Sequence, residues 1–355
     1  VEAPGTIAPV GPPGTPGQLA PLSPDTVLAP AAAPRRASPL GRLGGILLLL
    51  GVIGGVAGLF TGYFNGSSLL HESDELVPHA IYLVGWAAAG VLILLGSTRH
   101  WIGALLGTGL SIVTFGLLGS DAGLVIAGQT HLHTGLLLTM IGWLVCAAGS
   151  GLALLFRPSR ASAATPGTTR DPMLTVALGT LAALGVVAAF APSWDRFTLR
   201  TPAGILQSIT AGYAFSNPGA VIAADVIVMV TLVAVVVAAT LWRPVQLGAA
   251  LLAGAIIAMV AQGVSAIIQI TGSVSPAQFG IPPAAAQQAG LTIDAGLTPA
   301  FWLYSAFVVA LILICVWMFL PSRRAAVQPV PAAPAAPAPP PPPASPAGAA
   351  ASTAS

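Results

Sequence analysis

One acidic residue lies inside a long apolar stretch. Asp225 stands about seven residues into the run 219–241, between alanines on one side and valine and isoleucine on the other. An ionised carboxylate in hydrocarbon is costly, so Asp225 must face the protein interior, find a partner or carry a proton. Proton or ion coupling is the usual role of such a residue. The alternatives are that Asp225 reaches water near the headgroups, or that it hydrogen-bonds a neighbouring helix.

Histidines and carboxylates gather in two other short segments that flank apolar runs. They are His71, Glu72, Asp74, Glu75 and His79 before one run, and Asp121, His131 and His133 between two others. Imidazole and carboxylate groups are the usual ligands of zinc and other divalent metals, and histidine also senses pH. The spacing matches no known ligand motif. A solvated acidic loop with scattered histidines is the alternative.

Motifs for nucleotide, metalloprotease or serine-hydrolase chemistry are absent from the sequence. The two cysteines, Cys146 and Cys315, lie in apolar runs without a CxxC spacing, which favours inert buried thiols. No cofactor is predicted. The net charge of +2 provides no concentrated basic patch, so a nucleic-acid partner is not expected either.

The composition shows which elements must position these polar residues. Of 355 residues, 55% are apolar and only 6% are charged, which is too few charges for a surface in water. Eight windows are long enough to cross a bilayer, and they predict an all-α polytopic membrane protein. The windows are 43–63, 79–97, 101–119, 134–156, 173–191, 219–241, 246–270 and 300–320. The tight turns Ser97–Trp101 and Trp242–Val245 are predicted to separate two pairs of spans.

The arginines predict the orientation of the spans. With the amino terminus in the cytoplasm, ten arginines fall inside, while only Arg196 and Arg200 fall outside. The ten are Arg35, Arg36, Arg42, Arg99, Arg157, Arg160, Arg170, Arg243, Arg323 and Arg324. This asymmetry follows the positive-inside rule, so both termini are expected to be cytoplasmic. The absence of lysine and the abundance of alanine, glycine and proline are typical of a GC-rich bacterium, which suggests the bacterial cytoplasmic membrane.

Two tails and a linker are predicted around the membrane part. Residues 1–40 and 325–355 are rich in proline and alanine and cannot bury enough apolar surface to offset their ordering entropy, so we expect them to be disordered. A cytoplasmic linker, 161–172, separates a first four-helix half at 41–160 from a second at 173–324.

The two halves resemble each other, which suggests an internal duplication. Each contains a pair of spans joined by a tight arginine-containing turn, and each ends in Pro-Ser-Arg, at 158–160 and 321–323. In the approximate alignment Asp225 falls near His79. Four spans per half is an even number, so the halves would be parallel repeats about an axis along the membrane normal, with any shared site between them.

Two further features of the sequence are regularly spaced glycines and two long outer loops. Gly54, Gly58 and Gly62 recur every fourth residue, as do Gly103 and Gly107, which predicts close helix packing, and we favour packing within the bundle over packing between subunits. The two outer loops span 192–218 and 271–299. The first contains the apolar stretch Ile205 to Ile209, which could form a short amphipathic helix on the membrane surface. Loops this long are often functional or bind partners.

Three functions remain open from the sequence. The leading hypothesis is a non-catalytic scaffold or accessory subunit that contacts lipid and other membrane proteins, or itself, because intramembrane charge is nearly absent. The alternatives are a small-solute or proton-coupled transporter with Asp225 as the coupling group, and a lipid-active enzyme that uses the histidines as acid–base groups.

Overall fold

The computed structural model describes residues 38–63, 66–71, 73–156, 172–210, 214–272 and 274–320. Nearly all of the predicted tails, the linker up to 171 and Glu72 lie outside these ranges. Residues 38–40 of the predicted amino-terminal tail do not belong to it, which corrects that boundary. The hydroxyl of Ser38 accepts a hydrogen bond from the Gly41 N–H at 3.1 Å, and this cap begins the first helix at Pro39.

Helices dominate the described part of the chain. They are α1 Pro39–Leu59, α2 Ser73–Leu95, α3 Ser97–Ile126, α4 Thr134–Leu155, α5 Pro172–Phe190, α6 Gly219–Leu241, α7 Val245–Thr271, the short α8 Pro283–Gln288 and α9 Pro299–Phe319. Three strands, β1 Asp195–Thr201, β2 Gly204–Thr210 and β3 Thr292–Leu297, form one small sheet. Within these ranges eight helices, all but α8, are long and apolar enough to cross a membrane. The prediction of a polytopic helical membrane protein is confirmed.

Eight crossings place the connections alternately on two sides of the membrane. The sheet lies on the side that also holds the α1–α2 and α3–α4 connections, and we call this side the sheet face. The other side, with the α2–α3 and α6–α7 turns, is the terminal face. That the terminal face is cytoplasmic remains a prediction from the arginines.

The two tight turns differ from each other. The α6–α7 turn lies at 242–244, as predicted. The α2–α3 turn was placed wrongly, because α3 already begins at Ser97 and Gly96 alone separates the helices. Gly96 has φ 72°, a left-handed conformation that glycine adopts without steric cost and that reverses the chain within one residue.

Helix packing follows the same pattern in both halves. In the first half α1 and α3 each pack on α2 and on α4; in the second, α5 and α7 each pack on α6 and on α9. Between the halves α3 packs on α7, α3 on α6, and α2 on α7. This set of neighbours is unchanged when the halves are exchanged, as parallel repeats about one axis require. The pattern supports the duplication, which stays a prediction.

Glycines bring α1 and α4 into backbone contact, but not at the predicted fourfold spacing. Gly44, Gly51 and Gly58 of α1 face Gly149, Gly142 and Gly135 of α4, so the spacing is seven residues on both helices. Of the predicted stripe, Gly58 packs tightly on α4, whereas a Cβ placed on Gly54 would lie 3.5 Å or more from the atoms of α4. Gly62 lies beyond the end of α1, where its carbonyl accepts the Gly135 N–H at 2.7 Å. A fourfold stripe drifts around the helix, whereas a sevenfold repeat stays on one face.

The other predicted glycine pair also packs inside the bundle. A Cβ on Gly103 would lie 2.5 Å from the Ala89 carbonyl oxygen of α2, and one on Gly107 would lie 2.5 Å from the Ser150 hydroxyl of α4. Both glycines therefore let α3 approach its neighbours within the first half.

The predicted amphipathic helix at Ile205 to Ile209 is wrong, because these residues form strand β2. Strand β1 pairs antiparallel with β2 through a two-residue loop, and with β3 from the later long loop on its other edge, in the order β2-β1-β3. Backbone pairing with β1 decides the structure over a weak helical pattern. The sheet thus joins the two long loops on one face of the membrane, and Arg200 bridges to Asp294 at 2.8 Å across it.

Candidate functional site

A chain of three ionisable side chains links three elements near the sheet face. The hydroxyl of Tyr63, in the connection after α1, donates to Asp121 Oδ2 of α3 at 3.0 Å. The same hydroxyl lies 3.2 Å from Nε2 of His79 on α2, and His79 Nδ1 lies 2.7 Å from the Glu75 carbonyl oxygen. Tyr63 is fully buried and His79 is 5% exposed. We call Tyr63, His79 and Asp121 the polar triad.

Hydrogen positions follow from this geometry. The Tyr63 hydroxyl has one proton, and Asp121 receives it, so His79 Nε2 must donate to the tyrosine oxygen or make no bond with it. Since the Glu75 carbonyl can only accept, a bond at both nitrogens requires a doubly protonated ring. Burial, followed by the charges of Asp121 and Glu75, raises the pKa of Tyr63 well above its usual value, so the phenol stays neutral.

Aromatic rings enclose the triad on the side of the bundle core. Trp143 of α4 stacks on His79 with ring centroids 5.6 Å apart, and Tyr82 and Trp86 of α2 lie against Trp143 at 5.9 Å each. These rings are 4% exposed or less. The indole N–H of Trp143 has no hydrogen-bond partner among the residues that the structure describes. Such a low-dielectric wall strengthens the hydrogen bonds of the triad.

Two further bonds connect this wall to the rest of the bundle. Trp86 Nε1 donates to the Ser111 hydroxyl of α3 at 2.9 Å. The Gln262 amide of α7 donates to the Tyr82 hydroxyl at 2.7 Å, and this bond crosses the boundary between the halves. A contiguous set of side chains therefore connects the triad to the second half.

The structure brings together only part of the predicted histidine and acid cluster. His79, Asp121 and the backbone of Glu75 meet in the triad. His71 instead bonds the Ser68 hydroxyl at 3.0 Å on the surface, and His131 and His133 lie in the α3–α4 connection, exposed and partly exposed. Asp74 lies in the first turn of α2. Within the described ranges no group of three or more His, Cys, Asp or Glu side chains could hold a metal ion.

Asp225 lies at the interface between α6 and α3. It is 8% exposed and accepts a hydrogen bond from the Ser120 hydroxyl at 2.9 Å, while the side chain of Asn217 is a second donor. No salt bridge to Asp225 is found in the part of the chain that the structure describes. Its position, seventh in α6, is about 9 Å from the helix end on the sheet face. Ser120 directly precedes Asp121 in the sequence. Helix α3 therefore carries Asp121 of the first half and, through Ser120, bonds Asp225 of the second half.

Tyr63, Tyr82, Trp86, Trp143 and Gln262 were missed in the sequence. Tyr82 and Trp86 stand three and seven residues after His79, a spacing that places them on its helix face and could have identified them. Tyr63 and Trp143 belong to other elements, and no local pattern relates them to His79. Only the packing of α1, α2 and α4 brings them together.

Comparison of the chain with known protein families, curated proteins and solved structures finds no match.

Proposed function

We propose that this integral membrane protein is a non-catalytic accessory subunit whose sheet binds an extended segment of a partner protein on the sheet face. The observation that carries this proposal is the exposure of β2. Six of its seven residues are exposed, and Ile205 and Leu206 are 64% and 65% exposed. Within the part of the chain that the structure describes, β2 pairs with β1 along one edge, and its other edge lies outside the sheet.

The sequence of β2 lacks the usual protection of an edge strand. Natural edge strands carry charges or proline that prevent pairing with other chains. Strand β2 reads GILQSIT, with neither, whereas the central strand β1 contains Arg196 and Arg200. An unprotected apolar edge pairs readily with an added strand, which is a common mode of peptide recognition.

The membrane part supports a structural role. Several polar side chains buried between helices bond to one another: Asp225 to Ser120, Trp86 to Ser111, and Tyr63 to His79 and Asp121. The backbones of α1 and α4 are in close contact, and such tight packing favours a fixed arrangement of these two helices. A bundle held together by close backbone contacts and by these internal hydrogen bonds suits a platform for another chain better than a moving carrier.

A charge on the β2 edge should break the proposed complex. We expect Leu206→Lys to lower the amount of co-purified partner about tenfold, because a buried interface contact of this kind is worth more than 1 kcal/mol. The measurement is quantitative mass spectrometry after mild-detergent purification of the full chain from its own membrane. A photo-cross-linking amino acid at position 206 should form an adduct with that same partner.

Ala203→Lys provides the matched control, since Ala203 is exposed in the β1–β2 loop but lies outside the strand. This variant should keep the partner. Equal losses in the two variants, or no protein adduct at position 206, would contradict the proposal.

Asp225 favours a second candidate, a proton-coupled transporter. Among the described residues, the neutral side chains of Ser120 and Asn217 are the hydrogen-bond partners of this buried intramembrane carboxylate, so it can exchange a proton without breaking an ion pair. This candidate predicts that Asp225→Asn abolishes proton uptake into proteoliposomes driven by a membrane potential, while the protein still folds. Ser120→Ala, which removes a donor but keeps the carboxylate, is its control and should retain uptake. An accessory subunit would show no uptake in the wild type and would keep its partner in Asp225→Asn.

A further inference from the structure

The outer face of the sheet carries an uncompensated positive charge. Buried side chains alternate along β1 with Arg196, Thr198 and Arg200, which therefore point away from the buried face. Arg200 forms the ion pair with Asp294 that crosses the sheet. Arg196 is exposed and forms no ion pair with any residue that the structure describes. Two arginines thus share this face with one aspartate, and the charge of Arg196 remains.

The strands on either side of β1 leave room next to Arg196. Its cross-strand partners are Thr210 on β2 and Gly296 on β3, and such partners lie on the same face of an antiparallel sheet. Thr210 is exposed, and its hydroxyl can donate a hydrogen bond. A Cβ placed on Gly296 would have no described atom within 4 Å apart from its chain neighbours. A guanidinium group, a hydroxyl and open space therefore lie side by side, and we call these three residues the Arg196 site.

Two hydrogen bonds hold this end of the sheet next to the membrane-spanning helices. The Thr298 N–H donates to the Trp194 carbonyl at 2.7 Å, and the Thr298 hydroxyl donates to the Ser193 carbonyl at 2.7 Å. These bonds join the residue before α9 to the segment between α5 and β1. The first residues of β1 are thereby held beside the start of α9.

The Arg196 site lies within reach of the lipid headgroups. Strand β3 ends at Leu297 and α9 begins at Pro299, so Gly296 is three residues from the start of a membrane-spanning helix. Three extended residues cover at most about 10 Å. The headgroup layer adds about 5–8 Å on each side of the hydrocarbon core, and a long arginine side chain extends toward it. Trp302, the fourth residue of α9, is 64% exposed, as is typical of the aromatic belt at a membrane surface.

We infer that the Arg196 site binds the phosphate group of an anionic phospholipid in the leaflet on the sheet face. Guanidinium groups form charge-assisted hydrogen bonds with phosphate oxygens, and the surrounding bilayer presents phosphates at this depth. A headgroup without an amine, such as phosphatidylglycerol, has the single negative charge that matches the charge of Arg196. Binding here uses the side-chain face of the sheet, whereas the proposed protein partner pairs with the backbone edge of β2, so neither depends on the other.

The experiment uses phosphatidylglycerol with a diazirine on its headgroup, mixed into phosphatidylcholine nanodiscs that contain the full chain. After illumination, mass spectrometry maps the labelled residues, and we expect adducts at Thr198 and Thr210. Arg196→Gln should lower these adducts about tenfold, as the loss of a hydrogen bond between charged groups does. Gly296→Val keeps every charge but fills the space beside Arg196, so it should lower the adducts as well.

The double variant Arg200→Gln, Asp294→Asn is the matched control, because it removes the neighbouring ion pair from the same face without changing the net charge. This variant should keep the adducts. Unlabelled phosphatidylglycerol should displace the label, whereas soluble glycerol phosphate should not, which distinguishes a lipid headgroup from a free phosphate. No adducts on the sheet of the wild type, adducts that Arg196→Gln or Gly296→Val leaves unchanged, an equal loss in the control, or displacement by soluble glycerol phosphate would overturn the inference.

Discussion

Replacement of Gly142 by leucine should separate α1 from α4 and destabilise the protein by about 3 kcal/mol or more, at the upper end of the cost of overpacking. A Cβ at Gly142 would lie 2.7 Å from the Gly51 carbonyl oxygen and 2.7 Å from the Gly55 nitrogen. Both are backbone atoms of α1, which cannot rotate away as a side chain can. The free energy of unfolding would be measured by SDS titration in mixed micelles, followed by circular dichroism.

The same helix offers a matched control. Among the residues that the structure describes, no atom beyond the neighbouring backbone of α4 itself lies within 4 Å of a Cβ placed on Gly151 of that helix. Gly151→Leu introduces the same side chain into the same helix, and we expect its unfolding free energy to change by less than about 0.5 kcal/mol. If Gly142→Leu is no less stable than Gly151→Leu, the glycine contacts between α1 and α4 do not hold the first half together.

The glycine contacts between α1 and α4 also show how far the fold could be predicted from the sequence. The eight spans were predictable because length and apolar content alone decide whether a helix can cross a bilayer. The spacing of Gly54, Gly58 and Gly62 indicated close packing, but several glycine series run through α1, and the sequence does not tell which one faces a partner helix. Gly44, Gly51 and Gly58 could be selected only once the complementary Gly135, Gly142 and Gly149 of α4 were known to face them.

The sheet was not predictable for a related reason. Strand β1 pairs with β3, which lies about ninety residues later and beyond two membrane spans. Non-local backbone pairing leaves little trace in a short segment, so Ile205 to Ile209 suggested a surface helix when considered alone. The exposed edge of β2, on which the proposed function depends, is therefore visible only in the folded chain.

The candidate site was predicted in its parts but not in its arrangement. His79, Asp121 and Asp225 stood out because each ionisable group borders or enters apolar sequence, where polar groups need partners. The partners themselves, Tyr63 for the first two and Ser120 for the third, are common residues whose types carry no signal. His131 and His133 have the same side chain as the buried His79, yet they lie exposed and partly exposed in the α3–α4 connection. Residue type alone therefore does not predict burial.

Removal of the Tyr63 hydroxyl should have a larger effect than the loss of one ordinary hydrogen bond. In Tyr63→Phe the carboxylate of Asp121 loses its donor and His79 Nε2 loses its neighbour, while the ring keeps its packing. Leaving buried polar groups without partners costs about 1–3 kcal/mol each, and more for a charged one, so we expect a loss of about 3 kcal/mol in the free energy of unfolding. SDS titration followed by circular dichroism provides this value.

Tyr304→Phe is the matched control for this change. Tyr304 is 3% exposed, and its hydroxyl donates one neutral hydrogen bond to the Met259 carbonyl, so its loss should cost only about 1 kcal/mol. The charge of Asp121 can be tested separately, because Asp121→Asn supplies an amide that is neutral and can also donate. In that background Tyr63→Phe should cost less than half of what it costs in the wild type, since no charge is left without a partner. Equal costs in the two backgrounds, or equal costs for Tyr63→Phe and Tyr304→Phe, would show that the triad acts as ordinary packing and not as a coupled polar network.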